Sequence, residues 1–139
     1  GETVSLLAKN LEQGRMLAFR RFCLAVAEEV AFDAGAAGIV TGEAVGQKSS
    51  QTAQNLSVTD PITDLPVFRP LLTEDKNVIT ERAKEIGTFT DSTIPAGCNR
   101  FAPAQAETNA RLDRLRDLEP DDLRERARDA VADLELVEP

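Results

Sequence analysis

Between Thr41 and Thr52 the chain reads Thr-Gly-Glu-Ala-Val-Gly-Gln-Lys-Ser-Ser-Gln-Thr, with two glycines, two glutamines and four hydroxyl side chains in twelve residues. Glycine lets a backbone approach a ligand closely, Ser and Thr cap helices whose unpaired N–H groups attract anions, and Gln can read a base edge. An ordinary polar loop leading into a capped helix fits the same residues equally well. Lys76 follows Glu74 and Asp75 near the start of a helical pattern, where the helix dipole favours acids. A cation there either meets developing negative charge or is simply tolerated beside its acidic neighbours. Cys98 lies in Ile94-Pro95-Ala96-Gly97-Cys98-Asn99-Arg100, where the guanidinium of Arg100 favours a thiolate, although a lone loop cysteine is more often inert.

The elements that must position these residues follow from periodicity. From Arg15 to Ala34 the apolar positions Met16, Phe19, Phe22, Cys23, Val26, Ala27 and Val30 recur at three- and four-residue steps, predicting a helix that buries this face and stops at Gly35. That pattern assigns Cys23 to the core. Ala36 to Val40 reads as a short buried strand, so the polar run from Thr41 sits at a strand's C-terminal end, where open α/β sheets bind ligands. Ser49 or Ser50 is the expected cap of a following short helix. Pro66 to Pro70 reads as a second extended piece and a possible edge strand. Thr73 is the expected cap of a helix from Glu74 to Ile86, with Val78, Ile79 and Ala83 as its apolar stripe and Gly87 as its stop. A loop is expected from Thr88 to Pro103, then two charged amphipathic helices at 104–118 and 120–137, with Pro120 in the first turn of the second. The domain reading is therefore 1–103 for an α/β portion and 104–139 for an acidic helical tail, which carries 11 acids against 6 bases. Two short strands make a marginal sheet, so further strands are expected from an N-terminal half of the same polypeptide or from a second chain.

Composition narrows the classes. The 139 residues suit one domain or part of one. No apolar run approaches the roughly 18 residues that would suggest a membrane span. Two cysteines, Cys23 and Cys98, match no metal-ligand spacing and are too few for a disulfide framework or an iron–sulfur cluster; no metal site is expected, and a reducing cytoplasm is. Twelve Arg, only 4 Lys and 24 acids give a net charge of −8, which disfavours broad electrostatic binding of nucleic acid and suits a salt-rich, halophilic cytoplasm.

The run from Thr41 to Thr52 resembles the signature of the tRNA 4-thiouridine synthases, or tRNA sulfurtransferases. The likeness continues through Asn55-Leu56, Thr63-Asp64, Arg69-Pro70-Leu71, Asp75-Lys76 and Glu85-Ile86-Gly87-Thr88, and spans about Arg20 to Cys98 in register. It implies the C-terminal half of a Rossmann-like α/β PP-loop domain, of the adenine nucleotide alpha hydrolase type. Such a domain adenylates a tRNA uridine with ATP, in a Mg-dependent reaction, and then replaces the uridine oxygen with sulfur. By the same resemblance, Gly42 packs against the nucleotide, Gln51 contacts it and Arg20 stands where the family usually has a Lys or Arg for ATP. On residues alone Arg20, beside Arg21 on an amphipathic helix, is more often part of a solvated face, and the family register alone lifts it. Lys76 corresponds to a catalytic lysine that would stabilise phosphate charge, and Cys98 to a cysteine that receives or resolves persulfide sulfur.

The likeness is incomplete. The family's Ser-Gly-Gly-x-Asp-Ser phosphate loop does not occur in this chain, and Phe101 stands where relatives without a rhodanese extension commonly carry a second cysteine. The partners expected are tRNA, held by modules outside this chain, a sulfur donor such as a cysteine desulfurase persulfide or sulfide, and the missing part of the catalytic domain. A degenerate structural or assembly module that keeps the fold without the activity is the competing expectation. A role in thiamine thiazole synthesis, also found in the family, is left open by the sequence.

Overall fold

The computed structural model describes residues 3, 5, 7, 14–46, 51–94 and 107–134. Helix α1 spans Arg15–Asp33. It ends as the sequence requires: Gly35 adopts φ 65°, its N–H reaches the Phe32 carbonyl at 3.1 Å, and the Ala36 N–H reaches Ala31 at 2.8 Å. These paired bonds form a Schellman turn, which needs a left-handed residue at that place.

The face α1 buries differs from the predicted one. Leu17, Ala18, Arg21, Phe22, Leu24, Ala25, Glu28 and Ala31 are buried, whereas of the expected stripe only Phe22 is fully so. Met16, Phe19, Val26 and Ala27 are half-buried, and Val30 and Cys23 are exposed, so Cys23 is not a core residue. Apolar periodicity missed the buried face because two of its members are charged and are matched by residues far along the chain. Arg21 Nε donates to Glu119 at 2.6 Å, and its Nη1 donates to the Val58 carbonyl at 3.0 Å.

Glu28, 1% exposed, accepts from the Thr63 hydroxyl at 2.7 Å and the Asp64 N–H at 2.5 Å, and pairs with Arg124 Nη1 at 2.9 Å. Arg124 also donates to the Ile62 carbonyl. Burial pushes the Glu28 carboxyl up, but Thr63, Asp64 and Arg124 together outweigh it, and the net pKa lies below the ordinary value near 4.5. A carboxylate depressed on folding adds stability above its unfolded pKa, and that stability is lost as pH falls through the folded value. Glu28→Gln should cost about 2–3 kcal/mol at neutral pH, because it leaves buried donors poorly matched. Thermal melts from pH 7 to pH 3 check it: the gap between wild type and variant narrows as the solution becomes acid, and parallel acid limbs would show that Glu28 is not the group involved.

Strand β1, Ile39–Val40, pairs in parallel with β2, Val67–Phe68, in the register Ile39↔Val67 and Val40↔Phe68. The second extended piece is thus a strand, and the two are the strands found among the described residues. Both are shorter than the extended segments read from sequence. Pro66 and Pro70 lack a ladder N–H, and only carbonyls remain: Pro66 O accepts from Ile39 at 2.9 Å. Gly38 allows this close approach, since a Cβ there would lie 2.7 Å from Phe68 Cε2 and 3.0 Å from the Pro66 carbonyl, so the ring and the strand would have to shift.

Helix α2, Ala53–Thr59, lies between the strands and runs into a 3₁₀ turn, Asp60–Ile62. Its cap is Thr52, whose hydroxyl accepts from the Asn55 N–H at 3.1 Å, rather than Ser49 or Ser50, which lie outside the described residues. Thr52 is the last extended residue before the turn, which is the geometry a cap needs. Helix α3, Lys76–Glu85, is likewise capped later than predicted, by Asp75, whose carboxylate accepts from the Asn77 N–H at 2.7 Å. Thr73 is instead taken up in a turn, with the Glu74 N–H bonded to the Leu71 carbonyl at 3.1 Å. Gly87, at φ 78°, closes α3 with a second Schellman turn. Of the expected stripe, Ile79 and Ala83 are half-buried and Val78 is exposed. A short helix α4, Phe89–Ser92, occupies the start of the expected loop.

Helices α5, Leu112–Leu118, and α6, Leu123–Ala132, are shorter than the two predicted tail helices. The strap before α5 is claimed by α2: fully buried Asn55 donates to the Glu107 carbonyl at 2.6 Å and accepts from the Ala110 N–H at 3.0 Å. Pro120 lies ahead of α6 rather than in its first turn, with Glu119 extended before it and Asp122 at the cap. Leu115, Leu123 and Ala127 join Leu17, Ala18, Phe22, Ile39 and Val58 in one core. The 103/104 boundary falls outside the described residues.

Candidate functional site

A parallel register aligns strand ends, so the residues after β1 and after β2 become neighbours. Thr41 donates its N–H to the Phe68 carbonyl at 3.0 Å and Val45 donates to Leu72 at 2.9 Å, which lays the segment 41–46 along 68–72. Into this end of the sheet α1 projects Arg20.

Four charged side chains meet there. Arg69 Nε donates to Glu43 Oε2 at 2.9 Å, and its two terminal nitrogens grip Asp60 at 3.0 and 2.6 Å in a bidentate fork. The Thr41 hydroxyl donates to the same Glu43 oxygen at 3.3 Å. Arg20 Nε lies 3.9 Å from the other one, Glu43 Oε1. Arg20 is therefore not on a solvated face: its side chain is 16% exposed. Burial lowers the Arg20 pKa most, Glu43 opposes it and Arg69 adds to the lowering. At Arg69 burial also pulls downward, but Asp60 and Glu43 outweigh it, and the net shift is upward.

Gly42, immediately before Glu43, is exposed, and a Cβ built on it would meet nothing within 4 Å. Gln51 is half-buried, and its carbonyl accepts from the Gly46 N–H at 3.0 Å, closing the base of the loop whose residues 47–50 lie outside the described set. Arg20, Gly42 and the backbone at Gln51 thus frame one strand end. Lys76 is exposed at the first helical position of α3, directly after the Asp75 cap, and no described contact ties it to Arg20 or Glu43. Cys98 lies outside the described residues. No group of three or more metal-ligating side chains occurs among the described residues, and no helix there is long and apolar enough to cross a membrane.

Glu43, Arg69 and Asp60 were not singled out from the sequence. Their signal was topological: an acid just after one strand and an arginine just after its parallel partner must fall side by side.

A parallel strand pair packed against α1 is part of a Rossmann-like PP-loop α/β domain. The chain belongs to the ThiI family: the model described as "Thiamine biosynthesis protein (ThiI)" matches residues 2–121. A probable tRNA sulfurtransferase of Halobacterium salinarum is 56% identical over 138 residues, covering 99% of this chain and 35% of the relative. One from Acetivibrio thermocellus is 45% identical over 98 residues, or 69% of this chain and 25% of the relative. The crystal structure of a 4-thiouridine synthetase–RNA complex with bound ATP superposes with a TM-score of 0.76 at 35% identity, covering 88% of this chain and 33% of that one. The chain thus spans about a third or less of the length of the relatives it matches. The halobacterial relative accords with the acid-rich, lysine-poor composition.

Proposed function

We propose that this chain forms the C-terminal part of the catalytic domain of a tRNA sulfurtransferase that makes 4-thiouridine in the cytoplasm at the expense of ATP. The observation that carries the reading is the placement of Arg20. A helix arginine that sequence alone leaves in solvent is drawn to the C-terminal end of β1, beside an open glycine and the base of a polar loop. That end of a parallel sheet is where such folds bind nucleotides. Arg20, Gly42 and Gln51 hold ATP, taken with Mg²⁺. Its phosphate loop, the tRNA-holding modules and the remaining strands belong to another part of the same polypeptide or to a second chain.

The chemistry has two steps. The uridine oxygen attacks the α-phosphate, pyrophosphate leaves, and Lys76 stabilises the charge that develops on the phosphates. A cysteine desulfurase persulfide then passes its outer sulfur to the Cys98 thiolate and is left as a thiol; the Cys98 persulfide attacks the activated uridine carbon and AMP leaves, and a second thiol opens the resulting Cys98–uridine disulfide, releasing 4-thiouridine and leaving a disulfide for a cellular thiol to reduce.

Nucleoside mass spectrometry of tRNA from cells lacking the gene should show 4-thiouridine gone. Unchanged content would leave a degenerate structural module that keeps the fold. A second test separates ligand contact from folding. Because a Cβ at Gly42 meets nothing, Gly42→Ala should change stability by less than about 0.5 kcal/mol. In the full-length enzyme it should still raise KM for ATP about tenfold, by intruding where the nucleotide packs. An unaltered KM would remove Gly42 from the site.

A further inference from the structure

Arginine is long and flexible, and fixing its rotamers costs on the order of 2 kcal/mol when nothing holds it beforehand. One of the contacts that Arg20 makes leads through a series of partners, each fixed in turn. Asp60 sits in the 3₁₀ turn beside Pro61 and holds Arg69 by a two-point fork, with terminal nitrogens at 3.0 and 2.6 Å. Arg69 then holds Glu43 through Nε at 2.9 Å, and the Thr41 hydroxyl steadies the same oxygen at 3.3 Å. The second Glu43 oxygen remains directed at Arg20, 3.9 Å away, too far for a hydrogen bond but close enough for charge attraction. Of the four, Glu43 is the member that meets both arginines. Its side chain is 16% exposed, so water screens the attraction only in part.

We infer that Glu43 is a positioning residue for nucleotide binding, which aims Arg20 across the end of β1 while Arg69 and Asp60 fix Glu43 itself. The inference rests on the reading of Arg20 as an ATP contact. Glu43 touches no reacting atom; its effect on the reaction is transmitted by Arg20. Two sequence-distant acids, one after β1 and one after α2, thereby set the reach of a cation on α1.

The test is a double-mutant cycle in the full-length enzyme, read as pyrophosphate release with a tRNA transcript and varied ATP. Glu43→Gln keeps an acceptor for Arg69 and removes the charge that draws Arg20, so KM for ATP should rise about tenfold while kcat changes less than about twofold. Arg20→Ala should raise KM at least as much. Adding Glu43→Gln to Arg20→Ala should then raise it by less than about a further twofold, because the route through Arg20 is already gone. Glu43→Asp retains the charge one methylene short and should give a rise of about threefold, which keeps the test decisive should the glutamine variant fold poorly. If Arg20→Ala leaves KM unchanged, the reading of Arg20 as an ATP contact fails. If Arg20→Ala raises KM but both Glu43 variants leave it unchanged, or the two effects multiply in the double variant, Glu43 does not act through Arg20 and the inference is overturned.

Discussion

Replacing Cys98 by Ala is expected to abolish 4-thiouridine in tRNA, a loss on the order of a thousandfold or more in the transfer step, while pyrophosphate release continues. A group that must carry or resolve sulfur has no substitute once its thiol is gone, and losses of that size are usual when a covalent participant is removed. The chain has one other cysteine, Cys23, and it is exposed on α1. The sequence places Arg100 two residues from Cys98, a neighbour of the kind that favours a thiolate, whereas Arg21, two residues from Cys23, spends its guanidinium on Glu119 and the Val58 carbonyl. Cys23→Ala should accordingly leave thiolation intact. Nucleoside mass spectrometry after complementation with each variant reads both outcomes, and retained 4-thiouridine with Cys98→Ala would take sulfur transfer away from this cysteine.

The second large effect is expected at Lys76. Lys76→Ala should slow the adenylation step about a hundredfold to a thousandfold, the range seen when one charged or hydrogen-bonding stabiliser of a transition state is deleted. Its setting strengthens the expectation. Lys76 opens α3 directly after the Asp75 cap, and the Asp75 carboxylate is engaged with the Asn77 N–H. A lysine at that end opposes the helix dipole at a cost of about 0.3–1 kcal/mol, so its removal should leave melting unchanged or slightly raised. Activity falling as stability holds is the signature of a functional cation. Rates of pyrophosphate release decide it, and a full rate with Lys76→Ala would return the residue to a tolerated surface lysine.

How much could be read beforehand depended on how local the cause was. Gly35 and Gly87 were legible as helix stops because a Schellman turn needs one left-handed residue, and that need is written in a single position. The strand before Thr41 was legible for a similar reason, as an apolar run ending in polar residues. The caps at Thr52 and Asp75 were each misplaced by two or three residues, since several adjacent hydroxyls and acids offered equal local chemistry and the backbone chose among them. The buried face of α1 was not legible, because Arg21 and Glu28 look like surface residues until Glu119 and Arg124 arrive. At the candidate site the same division holds. Gly42 and Gln51 came from a contiguous motif, whereas the Glu43–Arg69–Asp60 cluster exists only after two strands align.

The ion pairs between α1 and the last helices have a consequence in time. Arg21, Glu28 and Glu29 wait for partners 98, 96 and 99 residues downstream. Contacts of such separation form late, because a long loop must close first. On the ribosome, α1 can present Arg20 to the strand end before its opposite face is sealed, but the part of α1 that packs on α6 stays uncovered until α6 has been made. Synthesis of the acidic helices is then the step that commits the strand-bearing part to its final form, and a stall between residues 94 and 107 would leave a nascent chain with an open core for chaperones to guard.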